Sequence, residues 1–140
     1  MIGQTPPEEK PGKRKELPGL VAALVVAAGM KLFVFDFMVA EGSSMNPAIR
    51  PGTVLLINRL RYGFRLPGAQ TYLVRWDMPA PGEVVVFYTP EGSVAVKRCA
   101  GLVEGEKFIA LGDNGAQSFD SRSYGPVPVD SIIGKVLGIK

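Results

Sequence analysis

The sequence predicts a mainly β protein: a small folded β-sheet or barrel-like domain preceded by one N-terminal transmembrane helix. Three observations lead there. Short runs rich in β-branched residues recur from Thr53 to the end of the chain, each bounded by Gly or Pro, which is the punctuation of sheets built from short strands. An apolar run, Gly19 to Met30 with Leu32-Phe33-Val34-Phe35 behind it, follows a basic flank. The chain has 140 residues, enough for one modest domain after a tail and an anchor are subtracted.

Hydrophobic residues make up 46% of the chain, a high share for its length, and the formal net charge is +3 with a pI near 9.1. No stripe of interleaved aromatic and basic residues accompanies that charge, so nucleic acid is not an expected partner. There is no histidine. That excludes Ser-His-Asp and Cys-His catalysis and every histidine-based metal site; neither a metal nor a cofactor is expected. Cys99 is the one cysteine and has no partner for an internal disulfide. Apolar alternation around it reads as a buried small hydrophobe.

Taken in order, residues 1–17 carry Pro6, Pro7 and Pro11 among Glu and Lys without periodicity, the composition of a flexible tail. Pro18 suits a helix first turn. A helix over the 18 residues from Pro18 to Phe35 would be about 27 Å long, close to the roughly 30 Å of a bilayer core. Lys31 near its far end can snorkel, and Phe37-Met38-Val39-Ala40 extend the apolar surface, so the anchor is expected over residues 18–39. A buried core helix and a cleavable signal peptide compete with that reading, but the basic flank disfavours the first and the lack of a clean Ala-x-Ala site the second. Lys10, Lys13, Arg14 and Lys15 put the N-terminus on the cytoplasmic side of the cell membrane. Residues 40–140 then form a domain on the outer face of a single-pass protein.

In that domain strands are expected at Thr53–Ile57, Tyr72–Trp76, Glu83–Tyr88, Ser93–Ala100, Lys107–Leu111 and Ser131–Ile139. The segment Tyr62 to Gly68 reads as a loop with apolar residues able to touch a membrane surface.

Three stretches carry chemistry. In Glu41-Gly42-Ser43-Ser44-Met45-Asn46-Pro47, small residues precede Ser44 and Pro47 bars helix or inner strand, which sets a hydroxyl on a stiff turn. Alone, this is also how an ordinary turn serine looks. In Val94-Ala95-Val96-Lys97-Arg98-Cys99, alternation puts Lys97 on the face of Ala95 and Cys99, both small and apolar. An amine aimed at an apolar face has a lowered pKa and, neutral, can take a serine's proton. Alone, Lys97 also fits a solvated edge-strand lysine. The third stretch runs from Gly112 to Pro128; Gly112-Asp113-Asn114-Gly115 is turn chemistry, Ser118 and Ser121 offer hydroxyls, and Asp120 and Arg122 are spaced to pair.

With these in view, the chain resembles bacterial-type signal peptidase I, the membrane-bound Ser-Lys serine peptidases, in a short, minimal form. The markers in family order are Ser44-Met45-x-Pro47, Gly82-Glu83-Val84-Val85-Val86-Phe87, Val96-Lys97-Arg98 with Gly101-Leu102, and Gly112-Asp113-Asn114 with Ser118-x-Asp120-Ser121-Arg122 and Tyr124-Gly125-x-Val127-Pro128. The resemblance implies Ser44 as nucleophile, Lys97 as general base and Ser118 as the serine that orients the lysine. It implies supporting ion pairs Asp120–Arg122 and Asp113–Arg98. Gly42, Ser43, Met45 and Pro47 would belong to the oxyanion site and substrate cleft.

The implied activity is removal of signal peptides from exported preproteins, after small residues, through an acyl-enzyme. Preprotein signal peptides, the lipid bilayer and the secretion translocon are the implied partners. The chain departs from the family at four points. Gly42 stands where many members have a hydroxyl residue, Thr53 and Glu83 stand for Asp, and about ten residues join Leu102 to Gly112 where relatives insert a β-rich subdomain. Two other functions stay open. One is a dedicated maturation peptidase for a narrow set of secreted or conjugation proteins, and the other a non-catalytic, membrane-tethered peptide-binding β-domain.

Overall fold

The computed structural model describes Gly3 and residues 17–139; of the tail expected over residues 1–17, only Gly3 and Leu17 fall among them. Helix α1 spans Leu17–Phe33. None of its residues is buried, and Leu20, Val21, Leu24, Val25 and Val26 are each more than half exposed. Its 17 residues rise about 25 Å, and no helix among the described residues is long and apolar enough to cross a membrane.

The helix stops six residues short of the end expected for the anchor at position 39. Val34 N–H still bonds back to Met30 C=O at 2.9 Å, but Val34 C=O already accepts from Arg59 N–H at 2.8 Å. From there Phe35–Val39 forms strand β1. Phe35, Phe37 and Val39 are aromatic or β-branched and favour a pleated surface. Asp36 sits on the opposite face of that pleat, bonded to Arg59 at 3.0 Å. The Phe33 ring stacks on Phe64 with centroids 5.7 Å apart, tying the helix end to the domain.

The domain is a curled antiparallel half-barrel of seven strands. Besides β1 these are β2 (Val54–Asn58), β5 (Val84–Tyr88), β6 (Val94–Val103), β7 (Lys107–Leu111), β8 (Val127–Pro128) and β9 (Ile132–Val136), in spatial order β1-β2-β9-β5-β6-β7-β8. A separate two-stranded ribbon pairs β3 (Gly63–Phe64) with β4 (Val74–Arg75). The expected strand at 72–76 therefore shrinks to two residues, and the expected 62–68 loop holds the other arm of the ribbon.

Strand β5 is central and buried on both faces, which is why Val84-Val85-Val86-Phe87 reads as a continuous apolar run instead of alternating. Val84 and Val86 enter one core cluster with Met45, Ile49, Leu55, Ile57 and Val136. Val85 and Phe87 enter the other with Tyr62, Cys99, Phe108, Ala110 and Ile132. The Phe87 and Phe108 rings meet edge to face at 5.3 Å. Cys99 is free and fully buried, as its apolar flanks suggested.

Gly134 permits a close approach of β9 to β2. A Cβ there would lie 2.5 Å from Asn58 O and 2.7 Å from Ile57 Cγ2. Gly134→Ala is expected to lower stability by about 1–3 kcal/mol through overpacking, read as a reduced denaturant midpoint at unchanged m-value. An unchanged midpoint would mean that β2 and β9 can part freely.

Between β6 and β7 only Glu104, Gly105 and Glu106 intervene. Gly105 and Glu106 take positive φ of 75° and 55°, so a tight hairpin stands where the resemblance places an inserted subdomain.

Candidate active site

Ser44 lies on the turn between β1 and β2. The base of that loop is closed by Ala40 N–H to Thr53 C=O and Gly52 N–H to Ala40 C=O, both 2.8 Å. Gly42 turns the chain at φ 75°, a conformation that costs a side-chain-bearing residue but not glycine. Beyond the serine, Ile49 N–H bonds to Met45 C=O at 2.9 Å, and both side chains are buried in the first core cluster. Met45 and Ile49 thus anchor the turn by burial, while Pro47 is exposed.

Lys97 reaches Ser44 from β6. Its Nζ donates to Ser44 Oγ at 2.7 Å, and the residue is only 5% exposed. It stands opposite Val85 in the β5–β6 ladder, and Ala95 and Cys99, two residues away on either side, belong with Val85 to the second core cluster. The alternation read from the sequence is therefore the alternation observed. Burial pushes the Lys97 amine below the ordinary lysine value, and the Asp120 carboxylate pulls it part of the way back.

Asp120 is fully buried and serves five donors. Oδ1 accepts from Arg122 N at 3.1 Å and Arg122 Nε at 3.0 Å. Oδ2 accepts from Gly112 N at 2.8 Å, Ser118 Oγ at 2.6 Å and Arg122 Nη2 at 2.6 Å. These contacts, the Arg122 guanidinium foremost, hold its carboxyl well below the usual range. Asp120 also caps the short helix α2, Ser121–Tyr124, through Arg122 N, and Ser121 Oγ accepts from Ala110 N–H at 2.9 Å. The expected Asp120–Arg122 pair is present. Ser118 differs from its expectation: its hydroxyl donates to Asp120, and no hydrogen bond joins it to Lys97 among the described residues.

The second expected pair is present too. Arg98 Nε and Nη2 grip Asp113 at 2.9 and 2.7 Å, and Nη1 donates to Gly82 C=O at 2.8 Å. One guanidinium thereby fastens the end of β7 and the turn before β5 to β6, the strand that carries Lys97.

Gly112 and Asn114, which read as turn chemistry, and Gln117, which carried no reading, take part directly. Asn114 N–H donates to Ser44 C=O at 2.9 Å, and its side-chain Nδ2 donates to Ser43 C=O at 3.1 Å. Gln117 Oε1 accepts from Ser43 Oγ and from Asn114 Nδ2. Gly112 lies so close that a Cβ would fall 2.1 Å from Ser118 Oγ and 2.6 Å from Ser44 O. Amides and glycines in a turn carry no signal of such long-range contacts, which is why composition did not single these residues out.

A cleft of about 330 Å³ opens beside Ser44 and Lys97. It runs between the Met38–Gly42 segment and Val94–Val96, with Met45 and Ile49 on its wall. Both flanks offer strand edges. β1 is the outer strand of the sheet, and Val94–Lys97 pair with β5 on one side while β7 joins the other side only from Arg98 onward. An extended peptide can add to either edge, and the aliphatic walls suit small apolar side chains.

A family model described as signal peptidase, peptidase S26, matches residues 14–107 and 102–139. The chain is 29% identical over 182 residues to a Signal peptidase I from Bacillus caldolyticus, covering 94% of this chain and 92% of that protein. It is 25% identical over 166 residues to Signal peptidase I V of Bacillus subtilis (strain 168), covering 83% and 92%. It is also similar to the mitochondrial inner membrane protease subunit 1 of Xenopus tropicalis, 31% identical over 116 residues, covering 74% and 68%.

Proposed function

The chain belongs to the signal peptidase, peptidase S26, family, and from that premise we propose that it is a serine endopeptidase that removes signal peptides from exported preproteins, with Ser44 as nucleophile and Lys97 as general base. The observation that carries the assignment is the 2.7 Å contact between Lys97 Nζ and Ser44 Oγ, made by an amine that burial drives toward its neutral form.

In the reactive state the neutral amine accepts the Ser44 proton as Oγ attacks the scissile carbonyl of an extended substrate in the cleft. The tetrahedral oxyanion faces the Ser44 backbone N–H, since Gly42 has no hydroxyl to offer. The lysinium then donates its proton to the leaving amine, and the carbonyl remains on Oγ as an ester. Lys97 deprotonates a water, which attacks the ester; the proton returns to Oγ as the acid leaves. Asp120, with Ser118 and Arg122, and Arg98 with Asp113 hold the loop and strand that present the two reacting groups.

Helix α1, apolar and without buried residues, serves in this reading as the membrane anchor. The N-terminus is then cytoplasmic and the half-barrel extracytoplasmic, with the bilayer and the translocon as partners. The anchor is narrower than residues 18–39, because Phe35–Val39 belongs to the sheet.

The test is cleavage of a preprotein carrying an Ala-x-Ala site, in detergent or liposomes, by wild type and by Ser44→Ala. Cleavage after the small residue by wild type alone supports the reading. A folded wild type inactive on several such preproteins would point instead to a dedicated maturation peptidase. The pH dependence has a definite sign. The base form of Lys97 is required, so kcat/KM is expected to rise with pH through the lysine's lowered pKa and to fall on the acid side. A rate flat down to about pH 5 would exclude a lysine base.

A further inference from the structure

We infer that Gln117 is a positioning residue for the reaction at Ser44, acting through Ser43 and Asn114; the inference rests on the peptidase reading above. Four groups close a ring. Ser43 Oγ donates to Gln117 Oε1, Asn114 Nδ2 donates to the same oxygen at 3.3 Å, and Asn114 Nδ2 also donates to Ser43 C=O at 3.1 Å. The Asn114 backbone N–H meanwhile donates to Ser44 C=O at 2.9 Å.

The chemistry of the ring depends on what Gln117 presents. Its Oε1 only accepts. The end of the Asn114 amide between Gln117 Oε1 and Ser43 C=O faces two acceptors and is therefore the NH₂ end. That choice gives Ser43 C=O its donor. With Ser43 C=O and Ser44 C=O both held by Asn114, the peptide planes before and after Ser44 are fixed, and so are the directions of its N–H and of the Cα–Cβ bond that carries Oγ. Without the Gln117 oxygen the Asn114 amide is held by Ser43 C=O alone, and Ser43 Oγ loses its acceptor. Met45 and Ile49 still anchor the far side of the turn by burial, so the fold survives while the near side loosens.

Among the described residues no hydrogen bond joins the Gln117 side chain to Lys97 or Ser44 Oγ, and its effect is expected in turnover rather than in binding. A displacement of about 1 Å at a reacting group costs on the order of 10²-fold. Gln117→Ala is therefore expected to lower kcat by about 10- to 100-fold with KM within about twofold. Gln117→Glu keeps an acceptor oxygen toward both donors and is expected to stay within about threefold of wild type. Gln117→Ala combined with Ser43→Ala should be no worse than Gln117→Ala alone, because both remove the same ring.

The experiment measures kcat and KM for these variants on the cleaved preprotein, with Ser44→Ala as the null. Alongside it, amide hydrogen exchange at Asn114 is followed, which reports the ring without requiring activity. Faster exchange at Asn114 in Gln117→Ala but not in Gln117→Glu, together with a kcat loss rescued by Glu, supports the inference. Unchanged exchange at Asn114 overturns it. So does a normal kcat for Gln117→Ala beside an active wild type, or a Glu variant as impaired as Ala. A wild type that cleaves none of these preproteins while Asn114 exchange responds would overturn the signal-peptide reading, and with it the positioning role in that reaction, and leave the ring a structural latch.

Discussion

Lys97→Met is expected to abolish cleavage, by at least about 10³-fold in kcat/KM, while raising thermal stability at neutral pH. The two effects come from one cause. The residue is 5% exposed, and burial drives the amine's pKa below the ordinary lysine value. The unfolded chain therefore binds more protons than the folded one at pH values between the folded and the unfolded lysine pKa, the latter about 10.4. Stability then rises with pH across that window and declines as pH falls through it. Methionine has nearly the same length and flexibility and no charge to desolvate, so it removes this cost without opening a cavity. A more stable, inactive Lys97→Met marks an amine kept for chemistry at the expense of the fold. Lys97→Arg should be inactive for a different reason, since guanidinium stays protonated and cannot accept the Ser44 proton. Thermal denaturation and preprotein cleavage on the same samples decide it. A Lys97→Met protein that is less stable than wild type would make the Lys97–Ser44 contact structural, and one that still cleaves would remove Lys97 from the mechanism.

That Lys97 was legible in the sequence follows from its period. Alternation puts Ala95 and Cys99, both small and apolar, on the Lys97 face, and that face packs on the observed cluster around Val85. The half-barrel was legible for the same reason wherever strands alternate or run apolar between Gly and Pro. Strand β1 was not. Phe35–Val39 continues the composition of α1, and what separates the two is a long-range event, the capture of Val34 C=O by Arg59 N–H and of Asp36 by the Arg59 guanidinium. Neither is visible in a local window. The ion pair Asp120–Arg122 followed from spacing as well as from the resemblance, and Arg98–Asp113 from the resemblance. The bond from Ser118 to Asp120 did not, because a hydroxyl accepts or donates to whichever group packing brings nearest, and the absent side chain of Gly112 leaves the space that Ser118 Oγ occupies beside the carboxylate. Asn114 read only as a turn and motif residue and Gln117 not at all, because their partners, Ser43 and Ser44, lie some seventy positions away.

Asp120→Asn is expected to be the most damaging isosteric change in the molecule. The carboxylate gives two acceptor oxygens to five N–H and O–H donors. An asparagine amide, turned either way, sets its NH₂ against at least two of them: Arg122 N and Nε in one orientation, Gly112 N, Ser118 Oγ and Arg122 Nη2 in the other. The expected loss is on the order of 3 kcal/mol, the scale for buried donors deprived of a charged partner. Because Gly112 abuts Ser44 C=O as well as Ser118, the damage passes directly to the nucleophile turn, and cleavage should fall with it. The pH dependence identifies the carboxylate as the source. Asp120 has its folded pKa held below the unfolded value of about 3.9, so its contribution is fully present above that value and is lost as pH falls below it toward the folded pKa. The stability gap between wild type and Asp120→Asn should accordingly be constant from about pH 5 to 8 and narrow below about pH 4. A gap that keeps its size into strong acid would assign the loss to shape rather than charge. Whatever turnover the variant retains offers an independent check. Asp120 raises the Lys97 pKa, so its neutralisation should move the acid limb of the rate profile to lower pH, and a shift the other way would show that the carboxylate does not act on the amine.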